Sequence, residues 1–408
     1  MSAPFTLSAW KKSDLLSPHP PNHPALGTEH VALTPVTRRT VLKTLGLSTA
    51  SLLVGGCGPK LSLLQSVSPH LRLARVHVDQ NRIIRTVVGL RPFRPGGFVV
   101  RSDRLDEKTV IHNYGHGGGG MTLSWGTAHL AMELAVETGK KACAVLGCGG
   151  VGLATARLMQ RQGWQVTIYA RDLPPRTTSN ISGAQWSPSS VFDRGQTTGQ
   201  FDEQYARALR LSYRYFQDLV GDYYGVRWVS NYILRDDPNV PPWWTGHVFP
   251  DLYPETKILP TGEHPFHTPY AFHFDTMFIE PPVYLNAMLR DFYQAGGKLE
   301  VKRFEDRREL AELSEPVLIN CTGLGARDLF DDKELTPIKG QLTVLLPQRE
   351  VDYLLIHRGD YMFPRRDGIL LGGTHERGEW SMEPNQEAIR RIVTGHKELF
   401  DQMRPPMI

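Results

Sequence analysis

The apolar positions of this chain follow two periods. Ala142-Cys143-Ala144-Val145-Leu146 is a continuous apolar run of strand length, and Gln165-Val166-Thr167-Ile168-Tyr169-Ala170 is a second strand pattern. Between them, Leu153 to Gln162 carries apolar residues at helical spacing. The pattern predicts strand, helix, strand, the order of a parallel βαβ unit. Further helices are predicted over Thr127–Glu137, capped by Gly139, over Gln204–Leu219, over Val283–Ala295, stopped by Gly296-Gly297, and over Gln386–Met403. Leu299–Phe304 and Ala74–Val78 read as strands. The segment Asp236–Glu255 is rich in Pro, Trp and Asp and reads as loops, with Trp243 and Trp244 packed under them or, in the alternative, lining a cleft mouth.

Composition narrows the class. The 408 residues are 40% hydrophobic and 22% charged, a globular balance with room for two or three domains. A net charge of +4, with no Lys/Arg block and no zinc-finger spacing, argues against nucleic acid as a partner. The four cysteines, Cys57, Cys143, Cys148 and Cys321, include no Cys-x-x-Cys pair, which excludes a disulfide scaffold and leaves no metal site expected. No apolar run is long enough to span a bilayer. Residues 1–36 read as disordered. Arg38-Arg39 then precedes a short apolar stretch, Leu45–Val54, in the manner of a twin-arginine export signal. Val54-Gly55-Gly56-Cys57 is similar to a lipoprotein cleavage site with Cys57 as the acylated residue. The expected partners at this end are the twin-arginine translocase and, through Cys57, a membrane tether. The expected location is the periplasm or cell envelope of a bacterium. That export route carries proteins already folded around a cofactor, so a cofactor motif is expected downstream.

It stands between the two strands. Gly147-Cys148-Gly149-Gly150-Val151-Gly152 is a G-x-G-x-x-G turn leading into a helix. Gly147 makes the tight turn, Gly149 lets the backbone approach a pyrophosphate, and Gly152 lets helix and strand pack closely. The phosphates would sit on the helix N-terminus beside Gly150 and Val151. The motif alone leaves NAD and FAD open. Arg171 occupies the end of the second strand where an acidic ribose ligand is expected, and Asp172, one residue on, is the candidate for it.

Further segments choose between the cofactors. Residues 111–126 include His112-Asn113-Tyr114-Gly115-His116-Gly117-Gly118, then Gly120, Thr122 and Trp125-Gly126. Residues 171–188 carry Thr177-Thr178 and Gly183-Ala184-Gln185-Trp186. Gly89-Leu90-Arg91-Pro92-Phe93-Arg94-Pro95, Asn320-Cys321-Thr322-Gly323, Lys339-Gly340-Gln341, Tyr361-Met362-Phe363-Pro364 and Leu371-Gly372-Gly373-Thr374 complete the set. Over roughly residues 76–400 the chain resembles the D-amino-acid oxidase family. The resemblance implies FAD as cofactor and an α/β fold. That fold is a Rossmann-like FAD-binding domain beside an α+β substrate domain with a mixed, largely antiparallel sheet. It implies that Gly117, Gly119, Gly120 and Met121 wrap the flavin and that Thr122 bonds its pyrimidine edge. Thr177, Thr178, Gly183, Arg303 and Gly323 join Gly147–Gly152, Arg171 and Asp172 around the rest of FAD. Arg91 would clamp a substrate carboxylate with its planar fork, Arg94 being a structural neighbour. Tyr361 would meet the same carboxylate, and the Gly118 carbonyl would accept from the substrate amine. His357 and Ser187 replace a tyrosine and a glutamine of mammalian members and are expected at the substrate. His112 and His116 are read as loop-shaping residues rather than metal ligands, and no side-chain acid or base is nominated.

The order of these pieces departs from the family, in which the G-x-G-x-x-G turn comes first and the His112–Gly126 segment near the end. The chain reads as a circular permutant, joined through Lys140-Lys141. The expected domains are 1–56, an export signal; 57–75, a linker; 76–188 with 296–330, the FAD domain; and 189–295 with 331–408, the substrate domain. The implied function is FAD-dependent oxidation of a D-amino acid to a 2-oxo acid and ammonia, with dioxygen reduced to hydrogen peroxide. A glycine- or sarcosine-type amine oxidase, a dehydrogenase feeding a quinone, and a flavin-binding exported protein without turnover are the alternatives.

Overall fold

A computed structural model describes residues 71–239 and 249–404. The expected export signal, Cys57, Trp243 and Trp244 lie outside the described residues. Two sheets organise the rest. The first is six-stranded, in the order β2 (Val99–Leu105), β3 (Lys108–Tyr114), β10 (Val317–Asn320), β4 (Ala142–Leu146), β5 (Gln165–Ala170) and β9 (Lys298–Val301). All neighbours are parallel except β2, which runs antiparallel on the edge. In its centre, Ile319 pairs with Val145 and Val145 with Ile168.

Both faces of this sheet are covered, which explains strands apolar at every position rather than at alternate ones. Cys143 and Val145 point to a layer of helices: α1 (Gly120–Val136), α2 (Gly150–Arg161), α4 (Gly199–Asp218) and α5 (Pro281–Gln294). Ala144 and Leu146 face the other way, onto Leu310 of the short helix α6 (Arg307–Ala311).

The second sheet is nine-stranded and mixed. Its order is β1 (Ile83–Phe93), β11 (Thr336–Leu345), β14 (Gly368–Gly372), β13 (Asp360–Arg365), β12 (Tyr353–His357), β6 (Val226–Arg235), β8 (Tyr270–Ile279) and β7 (Lys257–Pro260). A short strand, β15 (Glu376–Arg377), also pairs with β11. Only the β12–β6 pair is parallel. One face buries Tyr232, Leu355, Ile369 and Leu371 against Ile392, Val393 and Phe400 of α8 (Gln386–Asp401). The opposite face carries Leu342, Leu354 and Phe363.

Three expectations change. Residues 83–93, assigned from sequence to the FAD half, are the edge strand of the nine-stranded sheet, because Gly89 to Phe93 pair in register with Gly340 to Thr336. Ala74–Val78 is not a strand; side chains anchor it instead. Tyr353 Oη donates to Ala74 O at 2.8 Å, the His77 N–H donates to Gln348 Oε1 at 2.8 Å, and Val76 and Val78 are buried beside Phe400. Helix α1 starts at Gly120, seven residues before its expected start at Thr127.

Candidate active site

A cavity of about 1260 Å³ runs from the ends of β4 and β5 to the nine-stranded sheet. This exceeds the roughly 300–1,000 Å³ of an ordinary small-molecule pocket. At one end, β4 delivers the chain into the glycine turn. Gly147 has φ +116, and a Cβ there would lie 2.5 Å from the Cys321 carbonyl oxygen. A Cβ on Gly152 would lie 2.1 Å from the Gly147 oxygen, so helix and strand approach as only glycine allows. Gly147, Gly149, Gly150, Val151 and Gly152 all line the cavity. The N-cap residue of α2, Gly149, has no side chain to cap it; the Gly150 N–H donates to Ser179 Oγ at 2.9 Å, and the N–H groups that follow are suited to an anion.

The loop after β5 closes around this end. Arg171 and Asp172 line the rim and pair with each other at 2.7 Å. Thr177 and Thr178 also line it, with Thr177 Oγ1 donating to Asn180 Oδ1 at 2.8 Å. Arg303 follows β9 at the mouth and pairs with Glu305 at 2.8 Å, and Gly323 follows β10 with φ +59. A narrow glycine turn, a helix N-terminus facing the cavity and a long adjoining cleft fit a dinucleotide.

The second glycine cluster makes room for a neighbouring loop. A Cβ on Gly117 would lie 1.9 Å from Ser190 O, and one on Gly118 2.6 Å from Ser189 O. On Gly119 it would lie 2.6 Å from Val191 Cγ2, and Gly119 does not line the cavity. Gly117 and Gly118 admit the backbone of loop 189–191 and also line the cavity, while Gly119 makes room for the Val191 side chain. Gly118 still lines the cavity while its N–H donates to Ser190 O at 3.1 Å. Gly120, Met121 and Thr122 are the residues that present the N-terminus of α1 to the cavity. The Thr122 hydroxyl is shared with the protein: it donates to Ser187 O at 2.9 Å and accepts from the Ser187 N–H at 3.1 Å.

The two histidines of the segment are structural. His116 Nε2 lies 2.9 Å from Thr127 Oγ1, and His112 Nδ1 lies 3.2 Å from Asn320 Nδ2. Burial lowers His112 to about 4 and His116 to about 3, so both are neutral near pH 7. No cluster of metal-ligating groups occurs among the described residues.

At the far end, β1 carries Arg91. Its guanidinium lies over Gly340 of the paired strand, where a Cβ would come within 2.4 Å of Nη1. Nη1 donates to Thr374 O at 3.4 Å, and the guanidinium also meets the Tyr361 hydroxyl. Among the described residues no carboxylate stands within ion-pair distance of Arg91, whereas Arg94 is held by Asp332 at 2.8 Å and Glu334 at 3.0 Å. Tyr361 stacks on Phe363 at 4.7 Å between centroids and passes over Gly372, where a Cβ would lie 2.2 Å from its Cζ. Burial raises the Tyr361 phenol, with Arg91 opposing, so the hydroxyl keeps its proton.

Gly183 and Ser187 line this stretch, but His357 does not. Side chains alternate along β12: Ile356 faces the cavity, and His357 takes the other face, toward His396 of α8. The histidine that does line the cavity is His375. It lies 3.3 Å from Ser190 Oγ, and burial first, then Arg91, lowers its pKa. Sequence reasoning passed over His375 and over the roles of Gly340 and Gly372; the two glycines had a signal, being parts of quoted motifs.

The six-stranded, mostly parallel sheet, the glycine turn on α2 and the long cleft define a dinucleotide-binding protein of the Rossmann type. The chain matches the model of the DAO family, described as FAD dependent oxidoreductase, over residues 34–134 and 142–407, and it belongs to that family. Its cofactor is FAD. It is 29% identical over 266 residues to a D-amino-acid oxidase of Rubrobacter xylanophilus, covering 64% of this chain and 77% of the relative. It is 30% identical over 264 residues to a human D-aspartate oxidase, covering 62% and 73%. Among solved structures, glycine oxidase from Geobacillus kaustophilus shares the fold at a TM-score of 0.50 and 16% identity, over 65% of this chain and 80% of that one.

Proposed function

We propose that this protein oxidises a D-amino acid to a 2-oxo acid and ammonia. The observation that carries the reading is the Arg91 guanidinium, set in the cavity beside the Tyr361 hydroxyl with no carboxylate partner among the described residues. Such a fork suits the α-carboxylate of a substrate, which Arg91 binds bidentately while Tyr361 donates a further hydrogen bond. Bound FAD supplies the hydride acceptor. The chain's part is to hold and orient. Gly147–Gly152, Thr177, Thr178, Arg303 and Gly323 would hold the dinucleotide, and Gly120–Thr122 the flavin end. The carboxylate clamp fixes the α-carbon, and Leu342, Ile356 and Phe363 exclude water around it. The substrate enters with a neutral amine, so no side-chain base is required. The imine product hydrolyses in water, and dioxygen takes the electrons to give hydrogen peroxide.

The test is the visible spectrum of the purified yellow protein before and after anaerobic addition of a panel of D- and L-amino acids. Bleaching by some D-isomers and by none of the L-isomers is expected. A yellow protein that no amino acid bleaches refutes the reading.

We also propose that the chain is a circular permutant of its family. Three observations support this. Residues 137–141 alone separate α1 from β4. The two blocks matched to the family model meet around this connection. At the other end, Arg75 Nη2 donates to Met403 O at 2.6 Å, so the first and last described segments touch. A version starting at Lys141, with the old ends joined by a flexible linker, should bind FAD; a soluble one that does not would count against the proposal.

A further inference from the structure

The two groups that meet Arg91 sit where a strand ladder runs out. β13 and β14 pair from Arg365 opposite Gly368 to Tyr361 opposite Gly372, and the register stops there. The Tyr361 hydroxyl reaches the guanidinium from the last paired residue of β13. Thr374 O accepts from Nη1 two residues past the last pair of β14. Beyond that pair the strands are close but no longer in register. Gly373 has φ +141, and a Cβ there would lie 2.0 Å from Asp360 Oδ1.

A side chain of α8 spans these two ends. Arg391 Nη1 donates to Asp360 Oδ1 at 2.9 Å and to Oδ2 at 3.0 Å, and Nη2 donates to Gly373 O at 3.1 Å. One guanidinium is therefore bonded to the residue before Tyr361 and to the residue before Thr374. Further along the helix, His396 is buried and meets the Tyr361 backbone. Neither Arg391 nor Asp360 lines the cavity. An isolated exposed ion pair contributes little to stability. This one joins two strand ends whose next residues converge on Arg91, and binding groups work only when their supports hold them to within about 0.5 Å.

Building on the function proposed above, we propose that Arg391, acting through Asp360 and Gly373, is a positioning residue for the carboxylate clamp. It touches neither substrate nor cofactor. It holds the ends of β13 and β14 so that Tyr361 Oη and Thr374 O both reach Arg91, and the fork is aimed before substrate enters. Without it the two strand ends separate, and the substrate carboxylate loses the Tyr361 hydrogen bond.

The experiment measures kcat and KM for the best D-amino acid on the holoenzyme carrying Arg391→Ala, Asp360→Asn, both together, or Lys397→Ala. Lys397 makes another exposed ion pair of α8, with Asp401 at 2.5 Å, and is the control for a pair lost from that helix. Arg391→Ala should raise KM roughly tenfold, the share of one hydrogen bond to a charged group, while kcat changes by less than about threefold. Arg391→Lys should recover part of this. Asp360→Asn should act in the same direction, and the double variant should be no worse than Arg391→Ala, because the pair acts as one unit. Lys397→Ala should leave both constants unchanged, and flavin content should match the wild type throughout. An unaltered KM in Arg391→Ala overturns the proposal. So does a double variant whose effect is the product of the single ones. So does a rise in KM that Lys397→Ala shares or that comes with lost FAD, which would make α8 a structural support only. If Arg391→Ala does not fold, Asp360→Asn set against Lys397→Ala decides the same question. A wild type that oxidises D-amino acids beside an unaltered Arg391→Ala refutes this inference alone. A wild type that oxidises no amino acid removes the proposed function and this inference with it.

Discussion

Replacing Arg91 with leucine is the sharpest test of the substrate end. The side chain is half-buried, its guanidinium lies over Gly340, and its contacts are Thr374 O and the Tyr361 hydroxyl. No internal ion pair is broken by the change among the described residues, so the fold should lose little. The loss falls on the substrate. A charge-assisted bidentate contact in a desolvated site contributes on the order of 3 kcal/mol. At about 1.4 kcal/mol per decade, kcat/KM should fall by at least ~100-fold. Arg91→Lys keeps the charge but not the fork, and should recover only part of the rate. The assay is kcat/KM for the best D-amino acid, measured beside flavin content and melting temperature. Arg91 is remote in sequence and strand from Gly147–Gly152, so FAD occupancy should match the wild type. Undiminished activity of Arg91→Leu toward every substrate of the wild type would refute the clamp. Loss of FAD instead would move Arg91 into the cofactor's surroundings.

Three further outcomes are expected. Gly152→Ala places a Cβ 2.1 Å from the Gly147 oxygen. It should release FAD and lower stability by about 1–3 kcal/mol, read from visible absorbance and thermal melts; a stable, fully yellow variant would contradict the cradle. His112 and His116 are held near 4 and 3 in the fold, below the ordinary value of about 6.5. The unfolded chain thus takes up protons that the folded one refuses, so their contribution is complete above about pH 6.5 and is lost as pH falls through about 4. Melting temperature should drop across that window, and a flat profile would rule the histidines out as the cause. Arg38→Lys with Arg39→Lys should hold the precursor in the cytoplasm, as followed by cell fractionation; normal export of the double variant would end the twin-arginine reading.

Some of this fold can be read from the chain because each signal is local. β4 and β5 fall on the expected residues, since strands buried on both faces are apolar without interruption. α1 begins early because two usual signals fail together. It opens on glycine, a poor helix former, and Met121 to Ala128 are all buried, so no polar face marks the turn. The same loss of local information explains the site. That Gly117–Gly119 serve loop 189–191 depends on a contact some seventy residues away in sequence. Whether His357 or His375 reaches the cavity depends on strand alternation around the turn at Arg358-Gly359, which composition does not encode.

The contact between Arg75 and Met403 has a mechanical consequence. Tension applied where the described chain enters, near residue 71, and where it leaves, near residue 404, meets this contact first, then the packing of Val76 and Val78 against Phe400 and Met403. The load would pass through α8 and the outer face of the nine-stranded sheet. β4 and β5, which carry the dinucleotide turn, sit inside the other sheet and lie off that path. Traction from either end would therefore peel away the outer layer before it disturbed the seat of the cofactor.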